Sequence, residues 1–250
     1  KYEDTIVLSF KDTPLNFCNN MTDLKESANM NAHHQEIPGK GVINNRLSEL
    51  FFLRLLDIDI DHHFMERLNM REQRIRATVP LPFSLIIHNV ARDGLAKRMN
   101  FTQPLFLQTP IIEYVYKPGD GSRTLISEQH IESLSLASKA ELKKMHSVAQ
   151  RVNDFMRGQA LCVGLHLDYM SLEFGHLIEN DFYESDGALI LIDELSADTI
   201  HFTDITSQEP LSGVHNQQIM YQEIAQRFQL LDNGGPKDLA RRKAQTCPYP

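Results

Sequence analysis

The sequence predicts a fold of the α+β class, in which strands and helices are interspersed along a chain of 250 residues. Three observations support this prediction. Residues 5–10 form a β-rich run, residues 44–58 place apolar side chains on one helical face, and strand-like runs at 165–177 and 187–195 are joined by turn residues. A chain of this length can bury a sizeable core.

A long polar segment separates the first two elements. The run Thr5–Phe10 is rich in residues that favour strands and is followed by turn-prone residues that end at Pro14. Residues 18–36 contain few β-branched side chains, which predicts a long loop or a partly disordered insertion. The helix of residues 44–58 has an asparagine near its start as a candidate N-cap.

The later elements follow from proline positions, capping residues and periodicity. Residues 74–88 have a strand-like pattern that contains Pro80 and Pro82, so we predict two strands, or a strand and a connector. Ser138 and Glu141 match the S-x-x-E capping box and open a long amphipathic helix. A last amphipathic helix carries Met220, Ile224, Phe228 and Leu231 on one face.

Composition excludes two classes of partner. The net charge of −8 argues against nonspecific nucleic-acid binding, which needs a basic face. No apolar run approaches the ~20 residues that cross a bilayer, so we expect no membrane partner. Three cysteines without CxxC spacing predict neither disulfides nor a cysteine-bound zinc ion. They favour a reducing compartment, and the cytoplasm is the expected location.

Two acidic residues on the predicted hairpin are candidate metal ligands. Antiparallel pairing of residues 171–175 with residues 192–198 brings Glu173 close to Asp193. Two carboxylates that face a cleft suit a Mg²⁺ ion that bridges nucleotide phosphates. A surface hairpin with solvated acids explains the same spacing equally well.

Several segments occur in an order that is specific to one enzyme family. They are Ile37–Arg46, Leu68–Gln73, His88–Ala91, Lys97–Arg98, Leu165–Gly175 and Asp193–Asp204. Taken together they resemble the SAICAR synthase family, the ATP-dependent enzymes of purine biosynthesis that join aspartate to a carboxylated imidazole nucleotide. The resemblance covers roughly residues 5–231.

The resemblance implies two lobes around an ATP cleft. We expect a small β-rich lobe at residues 1–82, which includes the insertion 18–36, a larger α+β lobe at 83–233, and a loosely held tail at 234–250. The family also implies ATP and Mg²⁺ as cofactors, a nucleotide or small anionic substrate, and a possible homodimer.

The site residues are carried over from the family motifs. Glu173 and Asp193 match the acids that serve ATP and its metal ion. Lys40, which precedes the paired asparagines, and Asp198, the acid of the SPD motif, are the candidate catalytic residues. The substrate side is expected to contain Arg98, His88, Asn89, Arg92 and His201.

The chain departs from the family pattern at several of these positions. Histidine replaces arginine at His88 and His201, Tyr169 and Ser171 replace the Asp and Lys of DFK, and the serine of AAGS is absent from Ala91–Gly94. Arginine offers a permanently charged, bidentate fork that histidine lacks. Each lost charged hydrogen bond weakens binding by about 1.5–3 kcal/mol.

These departures predict a nucleotide-binding protein whose ligase activity is lost or altered. Two alternatives stay open at this point. One is an active SAICAR synthase with compensating substitutions, in which ATP phosphorylates the imidazole carboxylate before the aspartate amine attacks. The other is a non-catalytic interaction or regulatory protein.

Overall fold

The computed structural model confirms the α+β class and describes residues 5–13, 36–102, 104–178, 187–211 and 217–230. The strands are β1 (Thr5–Ser9), β2 (Phe64–Arg67), β3 (Glu72–Arg76), β4 (Thr78–Ala91), β5 (Leu105–Tyr116), β6 (Thr124–Ile126), β7 (Leu165–Leu177), β8 (Leu189–Ile192) and β9 (Ile200–Asp204). The helices are α1 (Lys40–Leu55), α2 (Asp93–Arg98), α3 (Glu128–Ser133), α4 (Lys139–Leu161) and α5 (Gln217–Arg227).

The strands form two sheets whose named pairs are antiparallel. The smaller sheet has the order β1-β3-β2. The larger has the order β6-β5-β4-β7-β8, with β9 paired to one end of β7. The backbone N–H of His63 donates to the carbonyl of Leu191, and the N–H of Leu191 donates to the carbonyl of Asp61. These bonds join the segment that precedes β2 to β8. The smaller sheet therefore lies beside the end of β8, close to Asp193.

The start of α1 is fixed by side chains from distant segments. The helix begins at Lys40, after Gly39 in the left-handed region with φ 84°, so the prediction of an asparagine N-cap is wrong. The Asp12 carboxylate acts in its place, because it accepts hydrogen bonds from the backbone N–H of Gly39 (3.3 Å) and Gly41 (2.9 Å). Arg71 donates to the same carboxylate at 2.9 and 2.8 Å. This bond outweighs the effect of burial and lowers the pKa of Asp12 to about 2.

The two prolines change the strand pattern less than expected. β3 ends at Arg76, and β4 runs from Thr78 through both Pro80 and Pro82 without a break. The register of β4 against β7 shifts between Pro80 and Ser84 instead. Proline cannot donate a ladder hydrogen bond, which explains a local irregularity there.

The two faces of the larger sheet have different roles. One face packs against α4, which opens at the predicted capping box of Ser138 and Glu141. The buried residues on this face of β4 and β7 include Leu85, Ile87, Met170, Leu172 and Phe174. Since strand residues alternate between faces, the opposite face carries Ser84, His88, Tyr169, Ser171 and Glu173. That face positions the candidate site.

The predicted division into two lobes and a tail includes residues inside and outside the described ranges. The boundary at residue 82 falls within β4, so we keep the division into two lobes as a proposal. Residues 18–35 of the insertion and the tail 234–250 lie outside the described residues.

Two findings concern the wider chain. Cys162 is disulfide-bonded, so the prediction of a chain without disulfides is wrong. Within the described ranges, no helix is long and apolar enough to cross a membrane.

Candidate active site

Lys40 and Asp198 form a buried ion pair between α1 and the turn that precedes β9. Their side chains are only 4% and 2% exposed, and Tyr221 of α5 donates its hydroxyl to the second oxygen of Asp198. The Lys40 ammonium also lies 5.9 Å from the centre of the Tyr221 ring. Burial and the negative charge of Asp198 raise the pKa of Tyr221, so the hydroxyl stays protonated. Three elements thus meet at the two candidate catalytic residues.

The turn at residues 193–199 is held by its own side chains. The hydroxyl of Thr199 donates to the carbonyl of Glu194 at 3.0 Å and accepts from the N–H of Ser196 at 3.0 Å. The hydroxyl of Ser196 accepts from the N–H of Asp198 at 3.0 Å. Asp193 has a left-handed backbone with φ 66°, where the chain leaves β8. The turn presents Asp193, Glu194 and Asp198 close together.

Glu173 lies next to Asp193, as the hairpin register predicts. It pairs with Ile192, the residue before Asp193, and its carboxylate forms an ion pair with Lys117. Burial, followed by the charges of Glu173 and Glu194, raises the pKa of Asp193 well above its usual value. Burial and the charge of Asp198 raise the pKa of Glu194 to about 7. The carboxylates therefore repel one another, and a bound cation would relieve that repulsion.

A cavity of about 230 Å³ lies between the smaller sheet, α1 and this turn. Lys40, Asp193 and Asp198 line it together with Asn44 and Glu194. Oδ1 of Asn44 and Oε2 of Glu194 are buried and have no hydrogen-bond partner among the described residues. Glu173 does not line the cavity, although it lies beside Asp193. The described residues contain no group of three His, Cys, Asp or Glu side chains arranged for a metal, but Mg²⁺ needs only one or two carboxylates.

The raised carboxyl pKa values make stability depend on pH. As the pH falls from about 8 to about 6, folded Glu194, whose pKa is raised to about 7, takes up a proton while the same carboxyl in the unfolded chain stays ionised, so this residue alone is expected to add about 1 kcal/mol to the free energy of unfolding. In the same range His63 and His201, whose pKa values burial lowers to about 4, act in the opposite direction, because their unfolded forms take up protons and their folded forms do not. Urea unfolding at several pH values measures it. The stability of a Glu194→Gln variant relative to the wild type is expected to fall by about 1 kcal/mol between pH 8 and pH 6, whereas that of Glu66→Gln, an exposed partner of Arg74, is expected to stay constant. Equal pH dependence in Glu194→Gln and the wild type would contradict this assignment.

On the substrate side, Arg98 and His88 share one carboxylate. Arg98 donates from Nη2 to both oxygens of Glu113, at 2.6 and 2.5 Å, and His88 Nε2 lies 3.0 Å from Oε2 of the same residue. Asn89 points to the opposite face, where it exchanges amide hydrogen bonds of 2.8 and 2.9 Å with Asn153. Asn89 therefore joins β4 to α4 and does not lie with the other substrate-side residues.

Arg92 has a carboxylate partner as well. Its Nε lies 3.2 Å from Oδ2 of Asp168, which also accepts a hydrogen bond of 2.7 Å from Thr203. Burial outweighs these contacts and raises the pKa of Asp168 to about 6. The positive charge of Arg92 is thus already partly balanced within the protein.

The three substituted positions His88, Tyr169 and His201 form one ladder of rings. His88 pairs with Tyr169, and Tyr169 pairs with His201, in the register of β4, β7 and β9. The ring centres are 5.5 Å apart for the first pair and 4.1 Å apart for the second, which is stacked at 18°. Burial lowers the pKa of His201 to about 4, so its ring is neutral near pH 7. Substitutions that are far apart in sequence are neighbours in the sheet.

The structure therefore places the predicted residues other than Asn89 in two groups on one side of the larger sheet. Lys40, Asp193 and Asp198 share the cavity. The middle ring of the ladder, Tyr169, lies four residues before Glu173 on β7 and is therefore ~13 Å from it. The sequence reasoning missed Glu194, Asn44, Lys117, Tyr221, Glu113 and Asp168. Glu113 and Asp168 had a usable signal, since each is an acid within a strongly apolar strand.

Comparisons with known proteins agree with this architecture. The family model described as SAICAR synthetase matches residues 15–232. The phosphoribosylaminoimidazole-succinocarboxamide synthase of Dinoroseobacter shibae is 39% identical over 201 residues, which are 78% of this chain and 78% of that protein.

Two solved structures give the same result. The crystal structure of the synthase from Ehrlichia chaffeensis has a TM-score of 0.80 at 28% identity and covers 92% of this chain and 93% of that one. A SAICAR synthetase in complex with ADP has a TM-score of 0.76 at 26% identity, with 90% of each chain covered. With the buried Lys40–Asp198 pair and the carboxylate hairpin in place, these matches lead to one conclusion: the chain belongs to the SAICAR synthetase family.

Proposed function

We propose that the chain is an active SAICAR synthase, which joins aspartate to a carboxylated aminoimidazole ribonucleotide at the expense of ATP. The observation that carries the proposal is the single cavity in which Lys40, Asp193 and Asp198 meet. The name of the Dinoroseobacter relative supports the same reaction. We therefore favour the active enzyme over lost or altered activity, which was the main expectation from the substitutions.

The substitutions themselves are consistent with compensation. His88, Tyr169 and His201 are packed against one another, and Arg92 and Arg98 are held by Asp168 and Glu113. Isolated losses would instead leave unpaired charges in a half-buried face, which is costly. Contacts among the changed residues support the proposal that the substitutions compensate for one another.

We propose that ATP and Mg²⁺ bind at the cavity. The relative described in complex with ADP supports nucleotide binding. Asp193 and Glu173 are the residues that would hold Mg²⁺, because their carboxylates are adjacent and because burial and the charge of Glu173 raise the pKa of Asp193. When bound, the ion would neutralise phosphate charge and the repulsion between the carboxylates.

The residues of the chain have distinct tasks in this reaction. Lys40 has three N–H donors, so it can bind Asp198 and still donate to an anionic oxygen in the cavity. Asp198 fixes the Lys40 ammonium in place, because its carboxylate accepts from the Tyr221 hydroxyl and its backbone N–H donates to the Ser196 hydroxyl. Asn44 offers a buried amide oxygen to a donor on a bound ligand. Their role is to bind and orient the reactants, which makes the phosphoryl step and the amine attack intramolecular in effect.

The direct test is ADP release from ATP and Mg²⁺ in the presence of aspartate and the carboxylated nucleotide. We expect release that depends on all of these components, together with formation of the succinocarboxamide product. Reactions that omit aspartate or the nucleotide are the controls. ATP binding without turnover would favour lost or altered ligase activity instead.

The cytoplasmic location and the homodimer remain part of the proposal. Both rest on the family resemblance. Sedimentation of the purified chain would test the dimer, and a monomer at micromolar concentration would argue against it.

A further inference from the structure

Glu113 is an acidic residue in the middle of an apolar strand. It lies on β5 and pairs with Ile86 of β4, two residues before His88 and on the same face. Its side chain is 17% exposed. A carboxylate in this environment needs donors around it.

Two donors from different elements satisfy Glu113. His88 on β4 approaches at 3.0 Å through Nε2, and Arg98 at the end of α2 donates to both carboxylate oxygens, at 2.6 and 2.5 Å. Burial raises the pKa of Glu113, but the hydrogen bonds from His88 and Arg98 outweigh it and hold the pKa below its usual value. The carboxylate is therefore ionised at neutral pH and accepts from both residues.

This bonding selects one form of His88. An ionised carboxylate has no proton to donate, so Nε2 of His88 must carry the hydrogen. In the neutral imidazole Nδ1 is then an acceptor. Glu113 thus determines the tautomer of His88.

The effect of Glu113 extends beyond its two partners. His88 packs on Tyr169, which stacks on His201, so holding the first ring holds one end of the ladder. Arg98 keeps a side chain that is 21% exposed and can contact a ligand. One carboxylate is therefore connected to three substrate-side residues, Arg98, His88 and His201, the last through Tyr169.

We propose that Glu113 is a positioning residue of the substrate side, which orients Arg98 and fixes the tautomer of His88 for binding of the anionic imidazole nucleotide. This proposal rests on the proposed function. Glu113 acts through its two partners and needs no contact with the substrate.

The test is the variant Glu113→Gln. Arg98 can only donate, so it takes the amide oxygen, and the amide NH₂ then faces His88. His88 must accept at Nε2, and its proton moves to Nδ1. We expect ¹⁵N NMR at about pH 8.5, where an unperturbed imidazole is neutral, to show this change of tautomer. We expect the KM for the imidazole nucleotide to rise about 10- to 100-fold, and the KM for ATP to change less than about twofold.

A matched control separates positioning from general damage. Glu141→Gln removes another Glu–His contact, the 2.6 Å bond that joins Glu141 of α4 to His176 of β7. We expect this variant to keep both KM values. If Glu113→Gln does not fold, Glu113→Asp keeps the charge but shortens the reach, and the same selective rise in the nucleotide KM is expected.

The outcomes distinguish the two proposals. An unchanged nucleotide KM or an unchanged His88 tautomer in folded Glu113→Gln overturns the positioning role. If the wild-type chain shows no turnover, the proposed function fails, and equilibrium titration with the imidazole nucleotide then decides the role of Glu113. Weaker binding by the variant supports it, and binding that is equal or absent in both proteins overturns it.

Discussion

Replacing Lys40 with methionine is expected to destabilise the fold by about 3–5 kcal/mol, because it leaves the Asp198 carboxylate buried without its cation. The same change is expected to lower kcat/KM by about 100- to 1000-fold, since it removes a charged donor from the cavity. Urea unfolding and the ADP-release assay measure the two effects. The expected loss of stability is large because both side chains are almost fully buried.

A double variant separates the two effects of Lys40. Lys40→Met combined with Asp198→Asn removes both charges, so we expect much of the lost stability to return while activity stays low. Arg157→Met is the control for an ordinary ion pair, since Arg157 and Asp154 are joined at 3.9 Å with side chains that are 50% and 75% exposed. It is expected to cost about 0–1 kcal/mol. Full activity in Lys40→Met would remove Lys40 from the catalytic residues.

Replacing Asp193 with asparagine is expected to have opposite effects on activity and stability. The substitution removes a buried charge that Glu173 and Glu194 repel, so the free energy of unfolding without Mg²⁺ is expected to rise by about 1 kcal/mol at pH 8. Activity is expected to fall at least about 1000-fold, because a candidate Mg²⁺ ligand is lost. The measurement is urea unfolding beside the ADP-release assay.

Magnesium provides the control for the Asp193 experiment. Addition of Mg²⁺ and ATP is expected to stabilise the wild-type chain, because a ligand that binds only the folded state shifts the folding equilibrium. The Asp193→Asn variant is expected to respond much less. A variant that is less stable than the wild type, or that is stabilised equally by Mg²⁺ and ATP, would contradict the metal assignment.

The substituted positions are far apart in the sequence and adjacent in the sheet. In the sequence, His88, Tyr169 and His201 are three separate departures from a family motif. In the structure they are consecutive neighbours across β4, β7 and β9. Their packed rings replace a pattern in which charges were expected, and the carboxylates Glu113 and Asp168 balance the nearby arginines. The changes are therefore coupled, and counting them as independent losses overstates their cost.

The sequence alone determined the features that depend on local order. Periodicity predicted α1 and α4, the Ser138–Glu141 box predicted where α4 begins, and turn residues predicted the β7–β8 hairpin. The hairpin register is short-range, so the proximity of Glu173 and Asp193 followed from spacing. The ordered motifs also identified the family, because each motif holds its residues within a few positions of one another.

Only the tertiary structure decided the contacts between distant segments. Asp12 caps α1 from 29 residues before Gly41, Tyr221 completes the Lys40–Asp198 pair, and Glu113 joins His88 to Arg98. Each contact depends on how strands and helices are packed, which no local pattern encodes. Burial is decided in the same way, and burial is what raises the pKa of Asp193 and lowers that of His201. The chemistry of the site thus depends on packing as much as on residue identity.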